Sequence, residues 1–88
     1  MAWTIEFLPE AAKDIEKLDR TTAARIIRTL EHRIAKLDNP RMLGSALTGA
    51  YRGYWRWRIG DYRVVARIED EHVLILVVRV GHRGDVYR

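Results

Sequence analysis

Trp55-Arg56-Trp57-Arg58-Ile59-Gly60-Asp61-Tyr62-Arg63 decides how this chain folds. The stretch alternates apolar and basic residues, turns at Gly60-Asp61 and begins again. Alternation with period two predicts a strand with one face on a core and the other in water. A two-residue turn with Gly60 first, as a type II′ turn prefers, sets Ile59 opposite Tyr62. Arg58 then lies opposite Arg63 on the same face. Like charges placed directly opposite each other are unfavourable, so the pairing has little structural motive. An anionic ligand, most simply a phosphate backbone, supplies one.

Downstream, Tyr62, Val64, Ala66 and Ile68 continue the apolar face, while Arg63, Val65 and Arg67 continue the other. Glu69 to His72 is predicted to turn, with His72 a turn residue. Val73 to Val80 is almost wholly apolar and reads as a strand flanked by neighbours; Gly81 ends it and His82 to Arg88 forms a polar tail. Upstream, Trp3, Ile5 and Phe7 alternate with Thr4 and Glu6 in a first strand. Pro9 suits the first position of a helix and Glu10 its first turn; Ala12, Ile15 and Leu18 give that helix an apolar face. Asp19 or Thr21 caps a second helix, whose apolar residues Ala23, Ile26, Ile27, Leu30, Ile34 and Leu37 follow helical spacing. Arg25, Arg28, His32 and Lys36 fall mostly on another face, read as solvated. Asp38-Asn39-Pro40 stops the helix. Arg41 to Gly53 has no clear period and reads as a loop with room for a turn of helix or short extended pieces, and Met42, Leu43 and Leu47 are expected to tuck under the helices.

The expectation is therefore an α+β domain over residues 1–88, in the order β-α-α-β-β-β. The helical hairpin packs on one face of a small, mainly antiparallel sheet. The other face carries the arginines. Trp55 and Trp57 share the helix-facing side and are expected in the core. The tail should sit beside the end of the sheet, bringing His82, Arg83 and Tyr87 near Arg56, Arg58 and Arg63 if the last strand adjoins the strand of Trp55 to Ile59.

At 88 residues the chain suits one domain. It has no Cys, so a disulfide framework and a thiolate metal site are excluded, and its three His residues lack zinc-site spacing. No secretory leader is evident and no apolar run is long enough to cross a membrane; a cytoplasmic protein is expected. The net charge is +4, and from Tyr51 onward there are eight Arg and no Lys. Arg offers a planar fork suited to phosphate and keeps its charge when partly desolvated. No acidic cluster is at hand for a divalent metal; Asp61 and Asp85 read as turn formers. A metal-dependent nuclease is thus disfavoured, and no cofactor is expected.

RNA can be cut without metal, because its own 2′-OH can attack the adjacent phosphate. The protein must align the phosphate, stabilise added negative charge and assist proton transfer. Arg suits the second task, and Tyr can stack on an unstacked base. The residues fit a metal-independent ribonuclease and fit a passive binder of RNA or acidic protein nearly as well.

Leu47-Thr48-Gly49, the aromatic-basic strand running into Gly60-Asp61-Tyr62-Arg63-Val64-Val65, and Val80-Gly81-His82-Arg83 followed by Val86-Tyr87 stand in an order that resembles the RelE family of toxins, within the RelE/ParE superfamily of toxin–antitoxin systems. The resemblance covers nearly the whole chain. It implies a RelE-like fold and a toxin that enters the ribosomal A site and cuts messenger RNA, blocking translation. It implies a RelB-like antitoxin as partner, with operator DNA bound only through the antitoxin complex. It implies that Arg56 and Arg58 bind and activate the RNA, that Arg63 stabilises the phosphate, that Arg83 acts on the leaving oxygen and that Tyr87 stacks; Arg67, on the same face by alternation, is expected to bind RNA beside them. The best-known member of the family has Lys where Arg56 and Arg58 stand. Arg is a poor proton acceptor, so base catalysis falls to Arg58 only weakly, and His82 is a candidate because an imidazole can exchange protons in the physiological range. Two other readings stay open: a ParE-like toxin without nuclease residues, acting on DNA gyrase, and a non-catalytic nucleic-acid- or antitoxin-binding module.

Overall fold

A computed structural model describes residues 2–82. Strand β1 (Thr4–Phe7) leads into helix α1 (Pro9–Glu16) and helix α2 (Arg20–Thr29), which continues as a π turn over Leu30–Ile34. A 3₁₀ turn (Pro40–Leu43), strand β2 (Ser45–Ala46) and a second 3₁₀ turn (Gly49–Tyr51) follow. Then come β3 (Trp55–Ile59), β4 (Tyr62–Glu69), a 3₁₀ turn (Asp70–His72) and β5 (Leu74–His82). The five strands form one sheet in the order β1-β5-β4-β3-β2. β1 runs parallel to β5 and the other pairings are antiparallel.

The helix starts follow from their residues. Pro9 occupies the first turn of α1, where its missing N–H costs nothing. Asp19 caps α2 by accepting from the Thr22 backbone N–H at 3.1 Å. Near the end of α2 the Thr29 hydroxyl donates to the Arg25 carbonyl at 2.8 Å. The Ala35 N–H then reaches back five residues to the Leu30 carbonyl, also at 2.8 Å. That wider turn lets both Ile34 and Ala35 be buried. Asn39 ends the helical run and caps the turn at Pro40.

Ala11, Ile26, Leu30 and Ile34 from the helices meet Trp57, Ile59, Val64, Ala66, Ile75, Val77 and Val80 from the sheet. Trp57 is fully enclosed, and its indole N–H donates to the Pro40 carbonyl at 3.0 Å. This single bond fixes the loop after α2 to the centre of the core, because an indole N–H buried without a partner would be costly.

Three expectations change. One of the short extended pieces allowed for in the loop joins the sheet as a fifth strand, β2, which pairs Ser45 with Arg56 and Ala46 with Trp55 at the β3 edge. Two residues are too few to show a period, and so short an edge strand is one way proteins blunt an exposed edge. Met42 and Leu43 do not tuck under the helices; they are 75% and 45% exposed. Leu47 lies on the opposite face of the sheet, where with Tyr51 and Tyr54 it covers Val65 and Val78. That face is therefore not a plain lining of arginine. It holds a second, smaller apolar cluster at a register irregularity between Val65 and Ala66, where β5 carries one more residue than β4.

Candidate nucleic-acid interface

The β3–β4 hairpin turns on Gly60, at φ +60°, and Asp61 has no positive φ, as a type II′ turn requires. Ile59 pairs with Tyr62 and Arg58 with Arg63, as the alternation predicts. Trp57, Ile59, Tyr62 and Val64 belong to the core cluster, so Arg56, Arg58, Arg63 and Arg67 point to the other face. Arg58 is exposed, and Arg56 and Arg63 are half-buried. Arg58, Gly60, Asp61, Tyr62 and Arg63 surround a hollow of about 260 Å³ at the hairpin tip.

Among the described residues, neither Arg58 nor Arg63 is ion-paired with an acidic side chain, although Asp61 lies at the same turn. The neighbouring cations are treated differently. Arg67 pairs with Glu69 at 3.2 Å on an exposed surface, where a pair contributes little. Arg79 is held by Asp14, with its Nε at 2.9 Å from the carboxylate, and this bond raises the guanidinium pKa further. Arg41 grips Asp70 through two bonds, of 3.1 and 2.7 Å, which keeps the Asp70 carboxyl below its usual range. Among the described residues, no carboxylate bonds to either arginine of the hairpin tip.

The last strand adjoins β4, not β3. Arg63 is opposite Gly81, and Tyr62 is opposite His82. The imidazole stands edge-on to the Tyr62 ring, with centroids 5.4 Å apart. Cross-strand partners share a face, so His82 goes with Tyr62 on the helix side and not with Arg58 and Arg63. Arg83 and Tyr87 lie outside the described residues. His32 and His72 are exposed, the first on the helix and the second in the turn before β5. No group of three or more His, Cys, Asp or Glu that could hold a metal occurs among the described residues.

Helix α2 adds a cation that periodicity assigned to solvent. The Arg25 guanidinium lies across the hairpin turn, so close that a Cβ on Gly60 would stand 2.9 Å from it. Nothing in the spacing of α2 signals this; it arises only when the helix docks on the sheet.

Known proteins resemble the chain over most of its length. The family model described as "ParE toxin of type II toxin-antitoxin system, parDE" matches residues 5–87. The toxin RelG of Mycobacterium tuberculosis is 34% identical over 89 residues, covering 100% of this chain and 99% of that protein. The mRNA interferase toxin RelE of Escherichia coli K12 is 31% identical over 90 residues, covering 99% and 92%. The fold superposes on the toxin–antitoxin complex RelBE2 of M. tuberculosis with a TM-score of 0.87, 29% identity, and coverage of 97% of this chain and 95% of that one. The isolated E. coli RelE toxin gives a TM-score of 0.71 at 23% identity, covering 93% and 85%, a likeness of fold alone. No described helix is long and apolar enough to cross a membrane.

Proposed function

Because the chain belongs to the RelE family, within the RelE/ParE superfamily of type II toxin–antitoxin toxins, we propose that it is a metal-independent endoribonuclease that cuts messenger RNA in the ribosomal A site and so stops translation. The observation that carries this reading is the facing pair Arg58 and Arg63, set on the open side of the hairpin with no bonded acid among the described residues. The name of the E. coli relative, an mRNA interferase, agrees with it.

In the reaction the 2′-oxygen attacks the adjacent phosphorus and the bond from phosphorus to the 5′-oxygen breaks. The products are a 2′,3′-cyclic phosphate and a 5′-hydroxyl. The 2′-OH proton leaves to a base and a proton reaches the 5′-oxygen. Negative charge grows on the non-bridging oxygens, where Arg58 and Arg63 act as fixed donors and need no reorganisation. A guanidinium does not give up its proton at neutral pH, so Arg58 is a charge stabiliser and not the base. His82 is also left out of base catalysis in this reading, because it shares a face with Tyr62. Solvent takes the 2′-proton. Arg56 and Arg67 hold the backbone beside the scissile phosphate, and the weak pair of Arg67 with Glu69 yields at little cost. By family resemblance Arg83 serves the leaving oxygen and Tyr87 stacks on a base. DNA lacks the 2′-OH and is not a substrate. The partner that restrains the toxin in the cytoplasm is a RelB-like antitoxin, and operator DNA is bound only through that complex.

The test is a cell-free translation reaction with a defined message and no added metal beyond what ribosomes need, comparing the native chain with Arg63→Ala, Arg83→Ala and Tyr87→Ala. Cuts confined to translating ribosomes, ending in cyclic phosphate and lowered roughly 10²- to 10³-fold by Arg63→Ala, are expected. His82→Ala should cut within a few-fold of the native rate. The ParE name of the matching family model favours one second reading. Intact message together with arrested DNA replication would establish a gyrase-directed toxin instead.

A further inference from the structure

We propose that a hollow on the arginine side of the sheet, at its border with α1, takes a guanine base of the message and reads it with Glu10 and Arg79. The inference rests on the ribonuclease reading and names the base that this surface selects beside the cut.

Three segments build the hollow, whose volume is about 380 Å³. Leu8 and Glu10 come from the start of α1, Tyr51 and Tyr54 from the segment before β3, and Val78 and Arg79 from β5. The size falls within the range of small-ligand sites, about 300–1,000 Å³. The irregularity in β5 creates it. Val77 is opposite Ala66 and Arg79 is opposite Val65, so Val78 is the extra residue. A bulge re-aims side chains. Here Val78 and Arg79, which a regular strand would send to opposite faces, line one hollow. Tyr51 and Tyr54 pack over Val65 and Val78. Val65 is in turn opposite Arg56, and it lies two residues beyond Arg63, about 7 Å along the strand. The hollow therefore borders the arginine row on the same face.

Its walls suit a base. Tyr51 and Tyr54 stand edge to face with ring centroids 6.1 Å apart, an aromatic surface of the kind that holds unstacked bases. Leu8 adds an apolar side chain left 38% exposed. The two charged groups are opposite in sign. Arg79 is held by Asp14 at 2.9 Å. Asp14 chiefly raises its pKa, with smaller additions through space from Glu10 and Tyr51, so all three gather round one cation. Glu10 forms no ion pair among the described residues. Guanine matches this arrangement. Its N1–H and 2-amino group are adjacent donors for a carboxylate, and its O6 and N7 accept from a guanidinium. Adenine and cytosine set an acceptor nitrogen beside their amino group, and uracil flanks its single N–H with carbonyls. A carboxylate thus meets a repelling lone pair on each of the other bases. The adjoining phosphate-binding row favours a base over a protein side chain as the occupant.

The test is cleavage on translating ribosomes, using messages that differ at one position of the A-site codon. Each position in turn carries guanine, inosine, adenine, cytosine or uracil. Inosine keeps O6, N7 and N1–H and lacks only the 2-amino group. The native chain is compared with Glu10→Gln and with Ala50→Leu, which narrows the hollow from its wall, each variant first shown to melt at the native temperature. At one position the native chain should cut guanine with a kcat/KM roughly tenfold or more above inosine, and further above the other bases. Glu10→Gln should cut guanine and inosine within a few-fold of each other. Ala50→Leu should lose the guanine preference through KM. Native cutting that ignores the base at every position would overturn this inference and leave the nuclease reading standing. So would a guanine preference that survives in both variants; if their capture of a RelB-like antitoxin is weakened at the same time, the hollow belongs to the protein partner. A native chain that cuts no message on ribosomes would overturn both.

Discussion

Gly60 carries two constraints in one residue. Its φ of +60° is costly for any residue with a side chain, and a Cβ would meet the Arg25 guanidinium at 2.9 Å. Gly60→Ala should therefore destabilise the chain by roughly 1–3 kcal/mol, the backbone penalty dominating because a guanidinium at the end of a flexible stem can move. Urea unfolding checks this, and a change below about 0.5 kcal/mol would show that the hairpin accommodates a side chain there. The turn was legible in the sequence, because Gly-Asp between two alternating runs has few other readings, and so was the opposition of Arg58 to Arg63 that follows from it. The place of Arg25 was not. A helix wheel separates apolar from polar but does not say which polar residue a neighbouring element will approach. His82 shows the converse: its sequence position beside Arg83 suggested the arginine face, and the strand register puts it with Tyr62.

At the scale of the element, the informative case is the second half of β5. β1 ends at Phe7, opposite Val77, so among the described residues β5 runs on without a strand partner on that side. Helix α1 takes over. The Asp14 carboxylate accepts from the Val80 backbone N–H and from Arg79 Nε, both at 2.9 Å, and its side chain is only 12% exposed. A side chain thus closes a sheet edge that a longer β1 would otherwise have covered. Asp14→Ala should cost about 1–3 kcal/mol, since it leaves a sheltered N–H and a cation without partners. Asp14→Asn, which keeps one acceptor oxygen, should cost less. Thermal unfolding of the two variants distinguishes them, and equal losses would mean that charge alone matters. This arrangement was hidden in the sequence, because the partners are 66 residues apart and an Asp on a helix signals nothing beyond solubility. The strands β1, β3, β4 and β5 and both helices were legible, each from a clear period or a capping residue except β5, which was read from its continuous apolar run. β2 and the Leu47–Tyr54 cover over Val65 and Val78 were not, since they depend on where an aperiodic loop lands.

For the whole molecule, acid is the condition that tests how the parts are tied together. Asp19 and Asp70 are both held below the ordinary carboxyl value of 3.8, Asp19 by its bonds from Thr22 and Asp70 by its bonds from Arg41. A carboxyl whose folded pKa is depressed adds stability above its unfolded pKa, and that stability is lost as pH falls through the folded value. The melting temperature should therefore be level near neutrality and fall below about pH 4. Arg79 is shifted upward, so its contribution is present throughout that range and gives no slope there. Asp70→Asn should be slightly less stable at pH 7 and lose less on acidification; an unchanged acid slope would mean that the link from Arg41 to Asp70 contributes nothing. Parallel pairing of β1 with β5 reaches further. Thr4 finds its partner at Leu74, and Asp14 finds Val80. Contacts of such long range form late. During synthesis the first strand and helix must wait, unpaired, until nearly all the described chain has been made. Translation thus times the appearance of the finished fold, and an interrupted copy lacking residues 74–80 has no β5, the strand that joins β1 and α1 to the rest of the sheet. A protein proposed to silence ribosomes can become competent only after a ribosome has almost completed it.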